Sequence, residues 1–208
     1  MVELFYKDPD LSTSEIAQKL LGCRLRRKSS DGVTSGIIVE TEAYLGESDQ
    51  AAHVYGGKRT ASLEAFYQEA GIFYIYNIHG HWCVNMITQS KDEPQGVLIR
   101  ALEPVEGIDL MKSRRKQDQR RLLTNGPGKL SQALGVEKEV DYGTSVLQYP
   151  LTIDFHEPKA VAEIAQGPRI GIPNKGEWTH KPLRFYVKGN PYVSSPKGRT
   201  QADHGWLA

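Results

Sequence analysis

Apolar and polar positions recur with a period of two in some stretches of the chain and of three to four in others, and each change of period marks an element. Residues 37–44, Ile-Ile-Val-Glu-Thr-Glu-Ala-Tyr, read as a strand. Ile38, Glu40, Glu42 and Tyr44 share one side, a working surface, and Ile37, Val39, Thr41 and Ala43 the other, a buried one. An edge strand whose carboxylates face water fits the same pattern. Upstream, Ser12 with Glu15, then Ile16, Ala17, Leu20, Leu21 and Gly22, predict a capped amphipathic helix ending at a glycine. Residues 25–28 predict a strand that turns at Ser30-Asp31-Gly32 into the first. Leu45 to Thr60 is polar and glycine-bearing, an ordered loop holding His53, while Leu63, Phe66 and Tyr67 give residues 62–70 helical spacing.

Residues 73–87 alternate aromatic and β-branched side chains around His79-Gly80 and predict a hairpin. A two-residue turn pairs Ile78 with His81, Tyr76 with Cys83 and Tyr74 with Asn85. Tyr74, Tyr76, Cys83 and Asn85 then form one polar and aromatic wall, with Trp82 and Asn77 on the opposite face near the tip. Residues 97–102 predict an apolar strand interrupted by Arg100, a position that suits either a structural ion pair or an anchored anion. A helix with Ile108, Leu110 and Met111 follows Pro104, and Asn125-Gly126-Pro127-Gly128 turns into a helix over 129–134 whose amide end fits a phosphate. The last third predicts strands at 151–155 and 169–172 and a hairpin over 183–193 turning at Gly189-Asn190. One domain over residues 1–195 and a loose polar tail over 196–208 complete the expectation.

At 208 residues and 39% hydrophobic the chain can build a substantial core. No run of about 18 apolar residues occurs, and Glu3, Lys7, Asp8 and Asp10 leave no apolar leader near the start. The expectation is a soluble, cytoplasmic protein with no membrane association, or a nuclear one in a eukaryote. Cys23 and Cys83 lack paired spacing and predict neither disulfides nor a cysteine zinc site. Net charge is +1, yet it is segregated: residues 112–129 carry seven Lys/Arg against one Asp, and residues 175–199 six against one Glu. Such runs fit a phosphate-binding face, and equally solvated helix faces and turns.

His79-Gly80-His81 resembles a metal pair that Cys83 or Glu42 would complete, but residues across a two-residue turn do not share a face, and no metal site is predicted. Gly-x-Ser-x-Gly and the phosphate-loop pattern are missing. Glu42, several aromatics, Asn85, Arg100 and two basic runs remain. That set suits a protein that stacks a flat ring and activates water beside a phosphate backbone. A noncatalytic module recognising distorted nucleic acid would leave Glu42 without a role, whereas a metal-dependent hydrolase would use Glu42 with the histidines.

Val-Glu-Thr-Glu-Ala-Tyr-Leu-Gly, Asp-Gln-Ala-Ala-His, Phe-Tyr-Ile-Tyr, Asn85, Leu-Ile-Arg-Ala-Leu-Glu-Pro, Asn-Gly-Pro-Gly-Lys-Leu and Lys-Pro-Leu-Arg-Phe-Tyr-Val follow in this order from about Leu11 to Ser194. In these motifs the chain resembles the alkyladenine (3-methyladenine) DNA glycosylases. The resemblance implies a single α+β domain with a curved, largely antiparallel sheet flanked by helices and a protruding DNA-inserting hairpin, a fold compared with the C-terminal domain of methionyl-tRNA formyltransferase. It further implies a monomer that flips damaged purines out of double-stranded DNA and hydrolyses the N-glycosidic bond, initiating base excision repair. Glu42 matches the general base acting on water, and Arg100 the arginine that helps hold that water. Tyr44 and Tyr76 match the stacking residues, His53 supplies a main-chain amide to the base edge, and Asn85 crowds the 2-amino group of guanine. The tyrosine wedge of the family's mammalian members is matched here by His79, with Trp82 placed to share its task. No metal or organic cofactor and no lyase activity are implied.

Overall fold

The strand read at 37–44 extends over Gly32–Tyr44 (β2) and lies in the middle of the sheet. A computed structural model describes residues 4–195 and 198–207. Its other strands are β1 (Arg24–Ser29), β3 (Phe73–Ile78), β4 (His81–Ile87), β5 (Gly96–Glu106), β6 (Leu151–Asp154), β7 (Ile164–Gly167) and β8 (Arg184–Val187). They form one curled antiparallel sheet in the order β3-β4-β5-β2-β1-β6, with β8 also on β2 and β7 on β8. A few helices flank it, among them α1 (Thr13–Lys19), α2 (Ile108–Arg115), α3 (Pro127–Leu134) and the short α4 (Lys138–Asp141). The molecule is thus a single α+β domain, and among the described residues no helix is long and apolar enough to cross a membrane.

Local chemistry accounts for the helix and turn boundaries. Ser12 and Glu15 form the capping box expected of them and start α1. Gly107 and Gly135 close the loops on either side of α2 and α3. The hairpin folds with Ile78 opposite His81, Tyr76 opposite Cys83 and Tyr74 opposite Asn85. Its two turn residues take left-handed φ values, 50° at His79 and 80° at Gly80, which matches the twist of the flanking strands.

The alternation of the strands divides the sheet into two faces. Phe73, Ile75, Val84, Met86, Val97 and Ile99 bury one face beneath α1, α2 and α3, against Ile16, Leu20, Met111, Leu130 and Leu134. The opposite face carries Glu42, Tyr44, Tyr74, Tyr76, Cys83, Asn85, Leu98 and Arg100, part of which is covered by a second apolar cluster of Val54, Leu63, Phe66 and Tyr67 with Tyr74 and Ile87. The hairpin is seated on α3 at Gly128, where an added Cβ would stand 2.7 Å from the His81 Cβ.

Several expectations change. Residues 62–70 form a tighter 3-10 helix, Ala61–Tyr67, rather than an α-helix. Residues 169–172 are irregular; the strand lies earlier, at β7, because Arg169 is committed to a buried ion pair. The hairpin over 183–193 is a single strand, β8, since its partners are β7 and β2 and the turn after Val187 leads away from the sheet. Of the expected loose tail, Pro196, Lys197 and Ala208 lie outside the described residues; residues 198–203 are exposed, and the stretch around Trp206 is docked. Trp206 is buried, bridges to Val161 and donates its Nε1–H to Glu103 Oε2 at 2.8 Å. His204 and Asn190 meet the same carboxylate. Trp206→Ala should therefore lower the free energy of unfolding by about 3–5 kcal/mol in urea denaturation. A loss below about 1 kcal/mol would show that this segment contributes little to the core.

Candidate active site

Two adjacent irregularities in the β2–β5 ladder build the centre of the site. Between Ile38 and Glu40 the extra residue is Val39 on β2; between Glu40 and Thr41 it is Arg100 on β5. Bulges re-aim side chains. Here they bring Arg100 Nη1 to 3.2 Å from Glu42 Oε1 and Arg100 Nε to 3.5 Å from Glu40 Oε1, the latter without a hydrogen bond. The side of β2 read as a working surface is thus as deeply buried as the other, with Glu40 and Glu42 both 0% exposed. Glu40 does not face solvent. It accepts from Arg184 Nη1 at 2.9 Å and from the Ser194 amide at 2.7 Å.

Glu42 has a different set of partners. The Ile170 amide donates to its Oε1 at 2.7 Å and the Tyr44 hydroxyl to its Oε2 at 3.0 Å. Burial pushes its pKa above the ordinary carboxylate value; Arg100, the Ile170 amide and the Tyr44 hydroxyl oppose that rise. Burial also works against the charge of Arg100, but Glu42 and Glu40 outweigh it and hold the guanidinium protonated. Oε2, with a single donor, keeps an acceptor position for a proton.

Above these groups opens a cavity of about 440 Å³, within the range of small-molecule pockets. Tyr44, His53, Tyr76, Asn85 and Arg100 all line it, together with Ile170. Glu42 lies beneath the lining, under Tyr44 and Ile170. His53 meets the Tyr76 ring edge-on at 4.6 Å between centroids and shares a 3.0 Å hydrogen bond with Tyr74 through Nδ1. Burial, reinforced by Lys58, lowers its pKa and favours the neutral ring. Asn85 donates to the Tyr74 carbonyl at 3.2 Å, which fixes its amide against the cavity floor.

The candidate wedge residues separate. His79 is exposed at the hairpin tip and borders the cavity, whereas Trp82 is half-buried on the opposite face and packs on the core. Beside His79 stands Ile78, 46% exposed and also at the cavity mouth. An apolar residue next to a hairpin turn is the signal that would have found it. The Ile170 amide had no such signal, since a main-chain donor leaves no mark in side-chain chemistry. Among the described residues, no three His, Cys, Asp or Glu side chains group as metal ligands.

Within residues 112–129, Lys116, Arg120 and Arg121 are exposed, and four of the arginines also bind main-chain carbonyls. Arg114 donates to the Leu134 carbonyl, Arg115 to that of Leu123 and Arg120 to that of Pro104, while Arg121 reaches the Pro191 carbonyl. These guanidinium groups tie loops and helix ends together and keep their charge.

The profile of the methylpurine-DNA glycosylases matches residues 6–191. The chain belongs to the methylpurine-DNA glycosylase family. A relative from Enterococcus faecalis is 48% identical over 197 residues, 94% of this chain and 86% of its own. One from Bacillus licheniformis is 49% identical over 191 residues, 91% and 94% of the two chains. One from Staphylococcus aureus is 45% identical over 183 residues, covering 88% and 89%. All three carry the provisional name 3-methyladenine DNA glycosylase. Membership of the methylpurine-DNA glycosylase family fits a water-accessible cavity set over a deeply buried carboxylate. Removing the Tyr44 hydroxyl withdraws a donor that favours the ionised form of Glu42. In Tyr44→Phe the Glu42 carboxyl, followed by ¹³C NMR, should titrate at higher pH than in the wild type; an unmoved titration would break the link between the two side chains.

Proposed function

We propose that this protein is a monofunctional DNA glycosylase that excises alkylated or deaminated purines from duplex DNA. The observation that carries the reading is Glu42, a buried carboxylate held between Arg100, the Ile170 amide and the Tyr44 hydroxyl, directly beneath an aromatic cavity. The extruded purine enters that cavity beside Tyr44 and Tyr76, its edge toward the His53 main chain, with Asn85 at the floor crowding a guanine 2-amino group. A water beside Glu42 and Arg100 gives its proton to the carboxylate as its oxygen bonds to the sugar C1′. The N-glycosidic bond breaks with its electron pair leaving on the base. A positively charged, alkylated purine leaves more readily and stacks more strongly on electron-rich rings, so the lesion contributes to its own selection. Protein groups alone supply these roles.

Outside the cavity, the exposed tip at His79 fills the gap left by the flipped nucleotide, and Ile78 presents apolar surface to the neighbouring bases. The substrate is double-stranded DNA carrying damaged purines, and the protein acts as a monomer in the cytoplasm.

Glu42→Gln should reduce abasic-site formation on a duplex with one defined lesion by at least about 100-fold while lesion-duplex binding persists, the size of effect general-base catalysis supplies. Excision unchanged in Glu42→Gln would remove the proposed base, and loss of excision in excess chelator would favour a metal-dependent route. Because the carboxylate must be ionised and burial raises its pKa, the rate should fall as pH drops through a value above the ordinary carboxylate range. An acid limb at or below that range would contradict the assignment. His79→Ala should shorten the lifetime of the flipped complex; unaltered excision kinetics and lesion affinity would sink the wedge.

A further inference from the structure

Behind Tyr44, on the side away from the cavity lining, lies an ion pair that the proposed chemistry does not use. Arg169 and Asp49 both have 0% side-chain exposure. They meet through two contacts, Nη1 to Oδ2 at 2.5 Å and Nη2 to Oδ1 at 2.9 Å. Each ion is also tied to main chain. Arg169 Nη1 donates to the Ala43 carbonyl at 3.0 Å, while Asp49 accepts from the Leu45 amide at 3.0 Å and the Ala51 amide at 2.9 Å. The guanidinium carbon stands 4.6 Å from the centroid of the Tyr44 ring. The residue after Arg169 is Ile170, whose amide donates to Glu42.

Three separate pieces of chain therefore converge on one pair: the end of β2 with Tyr44, the loop leading to His53, and the segment 168–172 that covers Glu42. Stability alone gives little reason for such a pair, since buried ion pairs are often replaced by apolar residues without loss. Arg169 also keeps its Nε buried without a hydrogen-bond partner, a cost to stability. What the pair supplies is geometry. A planar fork fixes direction as well as distance, in a way a lysine ammonium does not.

We infer that Arg169, oriented by Asp49, is the positioning residue of the active site: it sets the plane of the Tyr44 ring and holds the Ile170 amide against Glu42. It touches neither cavity nor water and acts through those two groups. The inference rests on the proposed glycosylase reading only for its kinetic consequences; the effect on Glu42 exists without turnover.

The titration of Glu42 is the direct readout. The groups facing it are Glu40 and Tyr44 from its own strand, Arg100 from β5, Tyr76 and Cys83 from the hairpin, the Ile170 amide, and Arg184 of β8 beyond Glu40. Arg169→Lys changes the identity of none of these groups and keeps the positive charge. By ¹³C NMR the Glu42 carboxyl of Arg169→Lys should titrate at higher pH than in the wild type, because the Ile170 amide is no longer held on it. Single-turnover excision from a duplex containing one hypoxanthine should fall about tenfold at neutral pH, with its acid limb displaced in the same direction. Asp49→Asn, which keeps the volume and removes the charge that orients Arg169, should do the same and serves where the lysine variant does not fold. A Glu42 titration and an acid limb that superimpose on the wild type in a folded variant would overturn the inference, even if the rate fell. Glu42→Gln run beside them separates the two ideas: full excision by that variant would overturn the proposed reaction and leave the titration result standing.

Discussion

The structure depends on the neutralisation of charge inside the sheet. Three carboxylates, Glu40, Glu42 and Asp49, and three guanidinium groups, Arg100, Arg169 and Arg184, lie within one region and are each at most 7% exposed. Removing any such ion from water costs several kcal/mol unless partners meet it at close range. The strands and segments that carry them are consequently locked into one relative arrangement: β2 against β5 through Arg100, β2 against β8 through Arg184, and the segment after β7 against the loop after β2 through Arg169. The set balances without leaving every atom satisfied, and the two buried nitrogens without hydrogen bonds, Arg100 Nε and Arg169 Nε, both lie beside Glu42 or its supports. Departures from full satisfaction concentrate where a protein must do chemistry.

Two ways of holding a carboxylate lie side by side in this arrangement. Glu40 is met by a guanidinium and an amide and is shut off from the cavity, so it behaves as a structural anion. Glu42 receives an amide, a hydroxyl and a longer contact from Arg100, and all three of these residues also line the cavity. Residues two apart on one strand have thus been given different work by their surroundings. The walls around them belong to rigid elements, with Tyr76 and Asn85 on paired strands and Tyr44 at the end of the central one, which fixes the shape of the cavity.

Much of this was legible in the chain because β-structure writes itself with a period of two. The register of the hairpin, the shared face of Tyr74, Tyr76, Cys83 and Asn85, and the pairing of Glu42 with Tyr44 all follow from alternation, and Arg100 was visible as an arginine in an apolar strand. What alternation could not show was the pair of bulges, which insert residues on both strands and leave the carboxylates buried instead of exposed. Charge counting located the basic run but not the carbonyls that four of its arginines also bind, which no local pattern announces. The strand at β7 and the irregular segment after it were exchanged because Arg169–Ile172 is apolar enough to read as extended, while its actual conformation is dictated by Asp49, 120 residues away. The docking of Trp206 depends on Glu103, a partner 103 positions earlier, so a polar stretch read locally as loose is held by a distant contact.

The partners of Glu40 also impose an order of assembly. Arg184 and the Ser194 amide are 144 and 154 residues downstream of it. While the chain is being synthesised, β2 leaves the ribosome long before either neutralising group exists, so its carboxylates must remain hydrated and the central strand cannot close into its final setting. The pairing of β3 with β4, which is local in sequence, does not wait for either group. A nascent chain that stops short of residue 184 therefore lacks both of these partners of Glu40 and holds an unfinished site.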